Sequence, residues 1–594
     1  MRFGGEAVAE RRGSAPSVAL PVARLRCKFF LPDVEFFVNL QKLSKTELLM
    51  NLRIALFAIV MAAGYAVADA CTSLIVTKGA STDGSNMITY AADSHVLYGE
   101  LYNQPAADHQ PGAMREIREW DTNKHLGYIP EVAHTYATIG NMNEHGVTIA
   151  ESTWGGREEL QGSGLIDYGS LIYVTLQRAK TAREAVDIMT SLVAEYGYAS
   201  SGETFSIGDA DEVWIMDLIG KGKDDKGAVW VARRVPDGYI SGHANQARVH
   251  QFPLNDPETL YAPDVITFAR EKGYFSGKDK DFSFAMAYAV FDFLELRGCE
   301  ARVWAFYNKF MAPGTADRFL TWINEGKGEP MPLWVKPARK ISANDMKWMM
   351  RDHFEGTPFD MTNDIGAGPF DVPYRYRPME YEVNGQKYFN ERAIATQQTG
   401  FSFVSSMNAN RHAAMRGVLW FGVDDANTCV YVPVFNSTKQ APYQLAVGNG
   451  DLLTLSWDAM FWVTNYVANQ AYNRYSLMIP DIRRVQKGFE DQFEQVVDAL
   501  SSNISADAEY AGVQALLTQF TNNAAADVTT TYKALGDYLL VKFLDGNVKT
   551  EDAPGVFSRT ADGYPAKPQF PGYNQRYYES IANSADGERL RVKE

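Results

Sequence analysis

Cysteine and histidine are both scarce in this sequence. Its 594 residues hold four cysteines, Cys27, Cys71, Cys299 and Cys429, too few and too scattered for a disulfide scaffold. Cys299 and Cys429 therefore read as two free, largely buried thiols rather than a pair. The nine histidines are dispersed and none falls in a His-Glu-x-x-His pattern, so no zinc-peptidase motif is present. There is no Gly-x-Ser-x-Gly elbow. Residues 273–278 are one residue short of a P-loop, and Asp279 stands where Ser or Thr is needed. Positive charge is in deficit: 57 Lys and Arg against 72 Asp and Glu leave a net charge of −15, which argues against a nucleic-acid partner. No internal repeat or low-complexity linker interrupts the chain.

What is present is apolar and aromatic. Hydrophobic residues make up 46% of the chain and aromatics 12%, enough for a large packed core. Residues 1–49 carry scattered arginines without a sustained period and read as a leader or a mis-assigned start. Met50 then opens a secretory signal pattern over residues 50–70. Arg53 gives its positive start, residues 54–63 its apolar run, and Ala68-Asp69-Ala70 its small-x-small cleavage site. The run is too short for a membrane span. Cleavage after Ala70 makes Cys71 the N-terminal residue. One residue then carries a thiol nucleophile and a free amine that serves as its base, with reference pKa values of about 8.5 and 7.7–8.0. The protein is expected to be exported, to the periplasm or the extracellular space. Lipidation of Cys71 is the other reading of a cysteine at this place, but Ala68 and Asp69 fit a lipidation site poorly.

From Cys71 the pattern is strand-rich. Residues 72–77 are β-branched and apolar, and 87–90 form a returning strand. Further strands are expected at 136–139, 147–151, 205–207, 213–218, 228–232, 418–421 and 429–435. Helices are expected at 170–178 and 181–196, the second opened by a Thr181/Glu184 capping box. After residue 456 the chain turns helical, at 457–478, 482–502, 506–523 and 525–541. The fold class is α+β. Residues 71–450 form the catalytic body, and 451–594 a helical part packed on it.

Cys71-Thr72-Ser73, Ala80 to Ser85 and Asp93-Ser94 resemble the opening of the N-terminal-nucleophile (Ntn) cysteine dipeptidases of lactic acid bacteria and their secreted relatives, with secernins as distant kin. The likeness continues through Gly140-Asn141-Met142-Asn143-Glu144-His145-Gly146 and on to Glu151-Ser152-Thr153. It returns in Asp167-Tyr168-Gly169-Ser170, Gly202-Glu203-Thr204, His243-Ala244-Asn245-Gln246-Ala247-Arg248, Glu300-Ala301-Arg302 and Leu419-Trp420-Phe421-Gly422. The resemblance implies an αββα sandwich with Cys71 at the start of a central strand, and hydrolysis of dipeptides through a thioester. It makes Asp93, 22 residues on, the acidic partner of the nucleophile; the alternative is a turn cap. Related amide hydrolases often carry an Arg just before this Asp. Tyr90-Ala91-Ala92 stands there instead, which leaves Arg302 to supply the positive charge, or to be an ordinary helix-surface residue. Asn245 is the oxyanion donor or a turn asparagine, and Thr153 a second donor at the substrate. Glu151 or Asp93 holds the α-ammonium. Trp154 lines the cleft or, more simply, the core. Asn143 to Gly146 is a structural hairpin turn.

The catalytic set is thus Cys71, Asp93, Asn245 and Arg302, with Glu151 and Thr153 on the substrate. The mechanism needs no metal or organic cofactor. The resemblance also implies a homo-oligomer. The function read from the sequence is an exported cysteine dipeptidase. The alternatives are an amidase of non-peptide amides, such as bile-salt or penicillin conjugates, and a surface lipoprotein that binds peptides.

Overall fold

The computed structural model describes residues 71–593. The leader (1–49), the signal pattern (50–70) and Cys27 lie outside the described residues. Two antiparallel sheets dominate the fold. Strand β1 (Ser73–Val76) pairs with β2 (Asn86–Asp93) in a hairpin, Ile75 facing Ile88 and Val76 facing Met87. Strands β3 (Thr148–Trp154), β4 (Gly202–Gly208), β5 (Val213–Gly220) and β6 (Ala228–Arg234) form a meander that builds the second sheet. The chain then returns to the first sheet as β7 (Ile240–His243), which pairs with β1, Ser73 facing His243. Strands β8 (Thr399–Met407), β9 (Gly417–Val423) and β10 (Val432–Phe435) complete it in the order β7-β1-β2-β8-β9-β10, with Trp334–Val335 at the far edge.

The sheets pack face to face. Ile75, Ile88 and Phe403 of the first share one core with Ala150, Val213 and Ile215 of the second. Gly208 is required at this contact, because a Cβ there would stand 2.7 Å from Ile88 Cδ1. Polar groups also cross the gap. Ser73 Oγ and Ser206 Oγ are 2.8 Å apart, and His243 links Ser206 Oγ (2.8 Å) to Ser152 Oγ (2.7 Å). Burial holds this imidazole neutral, pushing it down to about 3, helped by the Arg248 and Arg302 charges.

Helices cover both outer faces. Helices α1 (Tyr168–Leu176) and α2 (Ala182–Tyr196) bury Leu171, Val186 and Met189 against Ile149, Phe205 and Met216 of the second sheet. Helix α3 (Ala301–Phe310) covers β7. Helices α4 (Met460–Ala471), α5 (Tyr475–Asn503) and α6 (Tyr510–Lys542) cover the other end of the first sheet. On α5 the inward stripe is Met478, Ile482, Gln486, Glu490, Phe493 and Val497. Its two polar members are satisfied. Gln486 donates to the carbonyls of Asn427 and Cys429, and Glu490 takes a bidentate Arg351 at 2.6 and 3.1 Å.

The structure departs from the sequence expectations in specific places. Strands β7 and β8 were not expected, although β8 lies between β2 and β9 and is wholly buried. Gly400, Ser402, Ser405 and Ser406 make it read as a loop, but tertiary partners satisfy the serines: Ser405 Oγ donates to the Ile88 carbonyl (3.0 Å), and Ser402 Oγ lies 3.0 Å from Tyr431 OH. Helix α6 is one 33-residue helix where two were expected, its buried face continuing through Thr521, Ala524 and Ala525 while Asn523 faces outward. Helix α1 starts earlier than expected because Asp167 caps it, accepting from Ser170 N. Thr181 caps α2 as expected, but the Glu184 carboxylate turns to Lys180 N. The three described cysteines are free, with Cys429 buried and Cys299 half-buried. Among the described residues no helix is long and apolar enough to cross a membrane.

Candidate active site

Cys71 leads into β1, and the bridge between Thr72 and Ala91 sets it beside the C-terminal end of β2. Its side chain is 5% exposed and its Sγ lies 3.7 Å from the Tyr90 hydroxyl, which donates to Glu151 Oε1. Burial pushes the thiol well above its usual range. The Glu151 and Asp93 charges push the same way, against hydrogen bonds from the Asp93 backbone N–H and the Tyr90 hydroxyl.

Arg302 is not a surface arginine: it is 1% exposed on α3. It reaches the main chain of Cys71 rather than the sulfur. Nη1 donates to the Cys71 carbonyl (2.7 Å) and Thr72 Oγ1 (2.8 Å), and Nη2 to the Ala244 carbonyl (3.1 Å) and Asn245 Oδ1 (2.8 Å). Asn245 follows β7 in a left-handed conformation, φ 56°. Its backbone N–H donates to Ser152 Oγ (3.1 Å) and its Nδ2 to the Thr153 carbonyl. The loop is anchored by Arg248, which is fully buried, ion-paired with Glu300 at 2.5 Å and bonded to the carbonyls of Gly242 and Pro332. Asp217 ties down the same loop by accepting from Arg248 N and Val249 N.

Thr153 Oγ1 donates to Glu203 Oε1 (2.8 Å). Thr153 faces Glu203 across β3 and β4, and Glu151, two residues back, shares that face. Glu151 and Glu203 are 1% and 0% exposed. Among the described residues no donor reaches Glu151 Oε2 or Glu203 Oε2. Burial pushes Glu151 up to about 7 against its hydrogen bonds, and burial with the Glu151 charge pushes Glu203 well above the carboxylate range, so the pair shares a proton near neutrality. Beside them Tyr168 donates to Asp121 (2.8 Å), and Trp120 stacks on Tyr173 at 4.6 Å. This side of Cys71 is acidic and aromatic, chemistry suited to a cation.

The surroundings of Asp93 are basic. Asp93 accepts from Arg392 Nη2 and Thr399 Oγ1, each at 2.6 Å. Its charge is therefore committed to Arg392. Arg377 stands behind Arg392. Burial and the Arg392 charge lower Arg377 to about 10, so it remains a cation at neutral pH. Trp154 is a core residue, 1% exposed and edge-on to Phe284, and Asn143 binds the Leu176 and Ala179 carbonyls in a structural turn. Among the described residues no group of three or more His, Cys, Asp or Glu could hold a metal ion.

The structure brings all six sequence candidates, Cys71, Asp93, Glu151, Thr153, Asn245 and Arg302, into one connected cluster. The sequence reading missed Tyr90, Glu203, Arg377 and Arg392. Glu203 lay within a quoted motif and shows its partner only once β3 and β4 are paired. Arg392 is 299 residues from Asp93, beyond any local signal.

Comparison with known proteins agrees with the resemblance. The chain is 24% identical over 394 residues to a probable dipeptidase of Latilactobacillus sakei, covering 62% of this chain and 75% of that protein. It is 23% identical over 451 residues to a probable dipeptidase A of Streptococcus pyogenes serotype M3 (68% and 84%), and 24% identical over 435 residues to a dipeptidase of Bifidobacterium longum (63% and 73%). Residues 102–488, from shortly after Cys71 to within α5, match the cysteine peptidases of family C69, and the chain belongs to peptidase family C69.

Proposed function

We propose that this peptidase is an exported cysteine dipeptidase working from Cys71 as its N-terminal residue. The observation that carries the reading is the setting of the thiol. It is buried between the carboxylates of Glu151 and Asp93, which oppose its ionisation. A base is needed at the sulfur, and cleavage after Ala70 creates one on the same residue. The freed amine takes the thiol proton, and the thiolate attacks the scissile carbonyl. Asn245 and Thr153 receive the oxyanion by exchanging for it their present bonds to the Thr153 carbonyl and Glu203, an interaction worth roughly 2.7–4 kcal/mol in acyl transfer. The amine returns the proton to the leaving amino acid, and water hydrolyses the thioester by the reverse route. Arg302 positions the nucleophile by holding the Cys71 carbonyl.

The relatives named dipeptidase support a dipeptide substrate. So does the Glu151–Glu203 pair, whose undonated oxygens suit an α-ammonium. The order helices, sheet, sheet, helices is consistent with the αββα sandwich of the Ntn hydrolases. Export rests on the signal pattern of residues 50–70. The test pairs two measurements: the intact mass and N-terminal sequence of the exported protein, and the turnover of Cys71→Ala. The expected results are a free Cys71 terminus and an alanine variant that folds without dipeptide hydrolysis. An active alanine variant, or a mature terminus elsewhere, overturns the mechanism.

A further inference from the structure

A dipeptide is a zwitterion whose two charges lie a few bonds either side of its one peptide bond. The Glu151–Glu203 pair reaches Cys71 through Tyr90, and a separate set of arginines lies beyond Asp93, whose carboxylate holds Arg392. Arg377, Met379, Glu391 and Arg392 lie at the feet of an exposed hairpin formed by Glu380–Val383 and Gln386–Phe389, and they line a recess with Thr396 and Gln397. Its free volume is about 20 Å³. That exceeds the ~10–15 Å³ one water needs, so the recess can take up a small terminal group.

Each basic side chain of the recess has a different commitment. Arg375 is bound to Asp364 and to the Met361 and Tyr374 carbonyls, so it is structural. Arg297 ion-pairs with Glu391, which neutralises that wall. Arg392 holds Asp93. Arg377 is half-buried, and both its Nε and Nη2 donate to one neutral acceptor, Gln398 Oε1, at 2.9 and 2.6 Å. Among the described residues no carboxylate ion-pairs with Arg377. The Gln397 Nε2 is buried in the same recess with no acceptor among them. A guanidinium with only a neutral partner, beside an unpaired amide donor, is the chemistry of a carboxylate site.

We infer that this recess is the subsite for the α-carboxylate of the leaving amino acid, with Arg377 as its principal cation. The inference rests on the dipeptidase reading and deepens it. The acidic pair and the recess read different termini, so a substrate one residue longer at its carboxyl end places a neutral amide where Arg377 needs an anion.

The test uses the processed enzyme with a simple dipeptide and its C-terminal amide. Wild type is expected to prefer the free acid by about 10–100-fold in kcat/KM, carried mainly by KM, the range of a charge-assisted hydrogen bond. In Arg377→Gln that preference falls to near one, and Arg377→Lys recovers part of it. Equal cleavage of acid and amide by wild type, or an unchanged preference in Arg377→Gln, overturns the inference and leaves the dipeptidase reading standing. If neither compound is cleaved, the dipeptidase reading falls. Calorimetric titration of the Cys71→Ala protein then decides the subsite: tighter binding of the acid than of the amide supports it, and equal binding overturns it.

Discussion

Glu151 concentrates the chemistry of this site in one side chain. It accepts from Tyr90, borders Cys71 and shares a proton with Glu203, and burial lifts it from 4.5 to about 7. An α-ammonium binds the ionised form. The kcat/KM for dipeptides is therefore expected to rise as pH increases through about 7, because that parameter reports the free enzyme. Glu151→Gln should lower kcat/KM by about 10–100-fold and move the acid limb up from about 7 toward the range of the Cys71 amine, about 7.7–8.0. An unchanged pH profile in the variant contradicts the role. The stability effect has a defined sign. Between pH 4.5 and 7 the folded protein keeps a proton that the unfolded chain has released, so this carboxyl's contribution is full below 4.5 and lost as pH rises through 7. Thermal melts of wild type and Glu151→Gln should therefore diverge in the variant's favour from pH 5 to pH 8.

At the scale of elements, helix α5 is held to the first sheet by charge as well as by apolar contact. Glu490 is 3% exposed; it pairs with Arg351 and accepts from Tyr431 N at 3.0 Å, just before β10. Lys347 joins the network, 2.7 Å from Glu494 and 3.8 Å from the Trp420 ring centroid on β9. Glu490→Ala leaves the Arg351 cation buried and alone, and a loss of about 3–5 kcal/mol is expected. The double replacement Glu490→Leu with Arg351→Met removes both charges and should recover most of that loss. Denaturation midpoints of the three proteins check this. A single variant as stable as wild type would mean that α5 is held by its apolar positions alone.

At the scale of the whole molecule, His243 joins the two sheets at the level of the nucleophile. It is fully buried between Ser206 and Ser152, and Ser206 passes the link to Ser73 on β1. His250, on the loop after β7, is lowered by burial to about 4. Both imidazoles stay neutral in the fold while the unfolded chain takes up protons below about pH 6.5. Their contribution is present above that pH and lost as pH falls toward 3–4, on the order of 4 kcal/mol for His243. The denaturation midpoint should thus fall steeply from pH 6.5 to pH 4. His243→Ala should be less stable at neutral pH yet show a shallower acid slope, and an equal slope would remove His243 from this role.

Much of the second sheet was legible because β3 to β6 are apolar, β-branched and consecutive, so local pattern and pairing order agree. Helix α2 announced its cap at Thr181 and its apolar face. Cys71 stood out as a candidate because a processing pattern and a thiol adjoin in the chain. Strand β8 was not legible, since its serines find Ile88, Tyr431 and Ser85 as partners, which tertiary packing supplies. The surroundings of the nucleophile were likewise decided in three dimensions. Arg302 reaches Cys71 across 231 residues and Arg392 reaches Asp93 across 299. The sequence by itself singled out Cys71 as the candidate nucleophile, because that reading depends on a local processing pattern and an intrinsic pKa. Only the tertiary structure decided which carboxylate is spent on an arginine and which stays open to an amine, because the energy of a buried charge depends on its partners in space.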